Sequence, residues 1–130
     1  MILLAKEQNR CFVFTVPVIV HRSLPMDRKA VNREILISFW KVHVLYHAAE
    51  GEVIGQWMLK ELKHHGYDVS PGTLYPMLKR MEANGWLKSK ADAALGPKAP
   101  RAYRITPEGR KVLRIVQKQL HELGVEVDHH

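Results

Sequence analysis

The chain holds one cysteine, Cys11, so an internal disulfide is excluded and a packed core has to hold the fold. A lone thiol fits a reducing compartment, and the cytoplasm is the expected location. Missing too is any run of roughly 18 apolar residues, which argues against a membrane span. The apolar stretch CFVFTVPVIV (11–20) has the look of a signal-peptide core, but no small-x-small cleavage site follows it in HRSLPM, so secretion is not expected. Neither an HExxH pattern nor a cysteine pair is present, and there is no internal repeat or low-complexity tract. His43 and His47 share one helix face, yet two imidazoles fall short of the three or four protein ligands of a zinc site. His64-His65 and His129-His130 are adjacent pairs whose side chains diverge, and Cys11 has no visible base partner. No catalytic constellation, metal site or cofactor is therefore expected, and the chain does not read as an enzyme.

Acidic residues are scarce as well: 13 against 20 lysines and arginines, a formal net charge of +7. Of these, 11 basic and 5 acidic residues lie between Lys60 and Lys111, so the excess is concentrated rather than diffuse. A field of that kind suits an anionic partner such as nucleic acid or an anionic membrane surface, against the plainer reading of a solvated basic surface. At 130 residues and 46% hydrophobic, the chain allows one domain with appendages.

Residues 1–25 are unlike the rest: β-branched and apolar, interrupted by Pro17 and closed by Pro25. Two readings stand for them, an extension upstream of a natural start at Met26, or an arm or strand that packs on the domain or on a partner. MDRKAVNREILISF (26–39) is a polar lead-in to a helix, and from about Val31 to Ala49 the residues are apolar nearly all round, with a length that favours helix over strand. A second helix is expected from about Val53 to His65, where Ile54, Trp57, Met58 and Leu62 recur at helical spacing and Gly66 follows as a stop. A third runs to Asn84 and Gly85. Then the pattern changes to a short strand over Trp86 to Lys90, a turn in ADAALGPKAP (91–100) and a returning strand over Arg101 to Ile105. Thr106 can cap a last helix with Pro107 in its first position.

Three helices followed by a basic two-stranded hairpin is the order of a winged helix-turn-helix, in which the third helix enters the major groove and the wing lies against the backbone. The expected fold is mainly α with a small β-hairpin: a winged domain over residues 26–106 and a C-terminal dimerisation helix and tail over 107–130. The stretches GYDVSPGTLYPMLKRMEANGWLKSK and GPKAPRAYRITPEGRKVL closely resemble the PadR family of bacterial transcriptional regulators, over roughly Glu34 to Leu123. The resemblance rests on Gly66-Tyr67, on Ser70-x-Gly72-Thr73-Leu74-Tyr75-x-x-Leu78, and on Tyr103-x-Ile105-Thr106-x-x-Gly109. It implies a dimeric DNA-binding repressor or activator, often controlled by a small molecule such as a phenolic acid or planar drug. The departures are the first 25 residues and a single short helix after the wing.

The third helix poses a puzzle, because Pro71, Gly72 and Pro76 crowd its start. With Ser70 as N-cap, Pro71 sits well but Pro76 falls inside and costs about 3 kcal/mol through a lost bond and a clash with the Gly72 carbonyl. With Thr73 as cap, Pro76 lies harmlessly in the first turn. Either way the start offers free N–H groups and a positive dipole end suited to phosphate. Ser70 and Thr73 are assigned to phosphates, with plain capping as the alternative; Tyr75 and Lys79 share a face and are assigned to bases or backbone, with Arg80 beside them. Leu74, Met77, Leu78 and Met81 form the core stripe. In the wing Lys88 and Lys90 project from one side, Lys98 marks the tip and Arg101 the return strand, all assigned to phosphate contacts that position without reading sequence.

Leu113, Val116, Leu120 and Leu123 recur at intervals of three, four and three, a seam expected to join two subunits on a pseudo-palindromic operator. The alternative is that this helix folds back on its own core. Phe39, Trp40, Tyr46 and Trp57 are aromatic enough to line an effector pocket, though a buried core is the commoner use. A winged-helix interaction module without DNA binding is the competing function, and the basic balance of the third helix and wing argues against it.

Overall fold

In the computed structural model, the residues described are 2–7 and 10–15 as backbone, then 25–91, 94, 96 and 98–129. Strands β1 (Ile2–Glu7) and β2 (Arg10–Thr15) pair antiparallel with Ile2 opposite Thr15 and Glu7 opposite Arg10, as a two-stranded sheet of their own. Pro17 lies outside the described residues.

Asp27 starts the helical part: its carboxylate oxygen accepts from the Lys29 and Ala30 amides, capping α1 (Arg28–Val31). A π-helical turn over Asn32–Leu36 joins α1 to α2 (Ile37–Glu50), so the first helix begins three residues before the Val31 expected from the apolar pattern. β3 (Val53–Ile54) and α3 (Gly55–His64) follow. The second helix had been expected from Val53; instead Val53 and Ile54 are extended and pair with Tyr103 and Ala102 of β5 (Arg101–Ile105), 48 residues away from Ile54 in sequence. Local periodicity cannot report such a partner.

Helix α4 (Pro71–Ala83) ends as α3 does. Gly66 and Gly85 stand at positive φ, 88° and 82°, which a residue with a Cβ adopts only under strain. Around them the Tyr67 amide donates to the Leu62 carbonyl at 3.0 Å and the Trp86 amide to the Met81 carbonyl at 3.0 Å, the six-to-one closure that turns the chain out of a helix. β4 (Leu87–Ala91) and β5 form the wing, and the sheet order β3-β5-β4 places β5 centrally. Leu87 faces Ile105, Ser89 faces Tyr103 and Ala91 faces Arg101.

The final helix, α5, spans Pro107–Asp128, 22 residues or about 33 Å at 1.5 Å per residue. It is long, where a short helix had been expected. Thr106 caps it, taking the Gly109 amide at 2.9 Å, while its own amide donates to the Trp86 carbonyl at 3.0 Å and its hydroxyl to the Gly85 carbonyl. The α4–β4 corner and the start of α5 are thus tied together. Gly109 has a matching reason: a Cβ there would lie 2.1 Å from the Trp86 carbonyl oxygen. One core joins the elements from α2 onward, with Trp40, Val44 and Leu45 from α2, Met58 and Leu62 from α3, Leu74, Met77, Leu78 and Met81 from α4, and Leu87, Tyr103 and Leu113 from the wing and α5.

Candidate nucleic-acid interface

Ser70 is the N-cap of α4, with extended backbone, and Pro71 takes the first helical position, which settles the choice left open by the sequence. Its side chain does not cap the backbone; Ser70 Oγ lies 3.2 Å from Thr73 Oγ1, and the Ser70 carbonyl takes both the Thr73 and Leu74 amides. Pro71 has no N–H, so Gly72 holds the one amide of the first turn without a partner among the described residues, fewer donors than the sequence suggested. No acidic residue lies in that turn. Pro76 falls inside the helix and denies the Gly72 carbonyl its usual donor.

What holds so poor a helix is its packing. Leu74, Met77, Leu78 and Met81 are buried, and the opposite stripe, Gly72, Tyr75, Pro76, Lys79, Arg80 and Ala83, faces solvent. The single acid of α4, Glu82, is turned away from that stripe toward the wing, where Oε2 accepts the Ser89 amide at 2.6 Å. The exposed face is left with a phenol and two cations.

The strand alternation divides the assigned wing residues between two faces. Arg101 shares a face with Ser89 and donates from Nε to Ser89 Oγ at 3.2 Å. That face meets α4: Tyr75, Lys79, Lys98 and Arg101 border one cleft of about 400 Å³, with Gln56 and Pro100 on its rim. Lys88 and Lys90 lie on the other face of the wing beside Arg104, whose guanidinium pairs with Glu52 at 3.0 Å. Ser70 and Thr73 form a third group with Lys29 and Arg33 of the first helical segment, two cations that the sequence reading did not assign. Their pattern on the chain is unremarkable, and only the fold brings them to the start of α4. Among the described residues no ion pair involves Lys79, Arg80, Lys88, Lys90, Lys98 or Arg101.

On α5 the assigned seam is split by burial. Leu113, 7% exposed, belongs to the chain's own core, because α5 packs on α2 at that level. Val116 and Leu120 are half-buried, Leu123 is 52% exposed, and Val127 at 59% continues the row one step beyond the four residues named from sequence. The fold-back alternative thus describes the start of the helix and the free seam its end.

The aromatic residues also part company. Trp40 is in the core and Trp57 half-exposed, whereas Phe39 and Tyr46 line a cavity of about 480 Å³ between α2, α3 and α5, with His43, His47, Glu61, His65, Leu113 and Leu120. Burial, then the neighbouring His65 and His47, pushes the His43 imidazole below its ordinary value. His65 is the member that the sequence did not connect to His43 and His47, because it comes from another helix.

Three helices, a three-stranded sheet with a protruding hairpin, and a long closing helix define a winged helix-turn-helix protein. A family model described as the transcriptional regulator PadR-like family matches residues 44–115. The transcriptional regulator Rv3488 of Mycobacterium tuberculosis is 48% identical over 95 residues, 73% of this chain and 88% of that protein. A PadR family transcriptional regulator from Eggerthella lenta aligns with a TM-score of 0.60 and 32% identity, over 76% of this chain and 90% of that one. A PadR-like transcriptional regulator from Bacillus cereus gives 0.65 and 26%, over 74% and 94%. The chain belongs to the PadR-like family of transcriptional regulators. Among the described residues no helix is long and apolar enough to cross a membrane.

Proposed function

We propose that this regulator binds double-stranded DNA as a homodimer, placing two copies of α4 in successive major grooves of a pseudo-palindromic operator, and that it represses transcription until a small-molecule effector releases it. The observation that carries this reading is the two-sided character of α4: one stripe buried, the other exposed, cationic and adjoining the cleft formed by Tyr75, Lys79, Lys98 and Arg101. Backbone groups are met by Ser70, Thr73, Lys98 and Arg101, and base edges by Tyr75, Lys79 and Arg80. Lys88 and Lys90, on the far face of the wing, add weaker phosphate contacts. Residues 26–106 form the DNA-binding unit, residues 107–130 the dimerisation element through Val116, Leu120 and Leu123, and residues 1–25 an N-terminal extension or arm.

Selection of bound duplexes from a random pool tests this. Two inverted half-sites about one helical turn, or a multiple of it, apart are expected. Recovery of no common sequence would leave the interaction-module reading in its place.

A further inference from the structure

Apart from the DNA-facing side, the cavity between α2 and α3 gathers three imidazoles and a carboxylate from two matched helical pairs. His43 and His47 stand one turn apart on α2, and Glu61 on α3 stands four residues before His65, the residue that caps the end of that helix. The two pairs face each other. His47 Nε2 and His65 Nε2 both point to Glu61 Oε1, at 3.6 and 3.1 Å, and the His43 ring lies 4.7 Å, centre to centre, from that of His65. One ring nitrogen from each histidine falls within 4.8 Å of the other two.

We propose that His43, His47 and His65, with Glu61 as fourth ligand, form a binding site for a divalent transition metal ion of the zinc class. Imidazole nitrogens with one carboxylate suit such an ion rather than calcium or magnesium, which prefer all-oxygen shells. The donor set has the right number for a tetrahedron, and its single carboxylate with three neutral rings would leave a bound dication with a net charge of +1.

The spacing requires a modest closure. Ligands about 2.1 Å from zinc in a tetrahedron lie roughly 3.4 Å apart, so the three nitrogens, which lie within 4.8 Å of one another, must draw together by up to about 1.4 Å. His65 is the freest of the three to move: it follows the last residue of α3 and is the most exposed, so its side chain can turn without movement of a helix. The two rings on α2 are held instead. Tyr67 meets His43 edge-on at 5.4 Å, and Tyr46 and Trp57 meet His47 edge-on, each at 5.1 Å. A preformed pair and one adjustable ligand, within an apolar shell open to solvent on one side, give an ion both a seat and an entry path.

Glu61 held by His47 and His65 through hydrogen bonds or ion pairs is the arrangement that would mimic such a site without metal. That arrangement, which neutral rings donating to the carboxylate would serve equally well, leaves His43 without a role. The neighbouring His64 is a useful control, since its ring stands 5.9 Å from that of His65 and takes no part in the cluster.

The test uses the full chain, stripped with a chelator and dialysed, titrated with zinc chloride by calorimetry and with cobalt(II) by visible absorption. One ion per chain and the intense visible bands of a tetrahedral cobalt site are expected. His65→Gln and His47→Gln each weaken zinc binding by at least roughly 10- to 100-fold, the loss typical even of outer-shell changes. His64→Gln leaves it unchanged. Circular dichroism identifies any variant that fails to fold, and His65→Gln, altered at an exposed helix end, remains informative if His47→Gln does not fold. Absence of zinc uptake by the native chain overturns the proposal, and so does uptake that survives His47→Gln/His65→Gln. Neither result depends on whether the protein binds DNA.

Discussion

Gly55 lies directly beneath the ring of Tyr75: a Cβ built on Gly55 would come within 2.5 Å of Tyr75 Cε1. The first residue of α3 therefore sets how the phenol stands on the exposed face of α4. Because the obstacle is the far end of a side chain, Gly55→Ala is expected to displace the ring rather than unfold the domain. Thermal melting should move little, while affinity for duplex DNA falls. In a Tyr75→Ala background the same glycine substitution should have no further effect on binding, as coupling through one contact requires. Equal losses in both backgrounds would show that Gly55 does not act through Tyr75.

At Gly109 the outcome is opposite, because the obstacle is main chain. The Cβ of Gly109→Ala would meet the Trp86 carbonyl at 2.1 Å, in the corner where Thr106 already fastens α5 to the end of α4. Overpacking of this kind costs about 1–3 kcal/mol or more, and a lowered melting temperature measured by calorimetry is expected. An unchanged transition would mean that α5 can lift from Trp86 freely.

Pro76→Ala should stabilise the protein. The substitution returns a donor to the Gly72 carbonyl and removes the ring from the helix interior, worth about 3 kcal/mol, and loses about 0.4–1 kcal/mol through a freer unfolded chain. The net gain, about 2 kcal/mol, can be read from chemical denaturation. If stability falls instead, the proline is making apolar contacts that outweigh its backbone penalty.

The exposed end of α5 makes a separate demand. Leu123 and Val127 lie in one row on a helix whose earlier turns are packed on α2. Leu123→Glu with Val127→Glu should convert a sedimenting dimer into a monomer while leaving the thermal transition of the core nearly in place. A dimer that survives both charges would move the interface elsewhere.

Most of the helices and both wing strands can be read from the chain, because their signals are local: apolar spacing in α3 and α4, glycine at each helix end, Thr106-Pro107 at the start of α5. What cannot be read is what depends on distant partners. Val53 and Ile54 continue a helical pattern and become a strand only because β5 offers an edge. Leu113 fits an intersubunit seam as well as it fits a core, and the packing of α5 on α2 decides between them. The candidate interface shows the same division. All nine residues assigned to DNA are on the surface or at its margin, but that Lys88 and Lys90 stand on the opposite face from Arg101 follows from the strand register, and that Lys29 and Arg33 approach Ser70 follows from the tertiary fold. The histidine cluster is the clearest case: His43 and His47 lie on α2 and His65 at the end of α3, so no motif spans it.

The central claim is that the exposed face of α4 and the cleft-facing side of the wing grip DNA. Fluorescence anisotropy with a duplex titrated across salt concentrations tests it most directly, for the native chain and for Lys79→Ala, Lys98→Ala and Arg101→Ala. The account predicts tight, salt-sensitive binding whose log–log slope weakens by about one in Lys98→Ala and in Arg101→Ala, a lower affinity in Lys79→Ala, and smaller changes for Lys88→Ala and Lys90→Ala. Binding that is absent at every salt concentration, or a slope untouched by all three cleft substitutions, would contradict it.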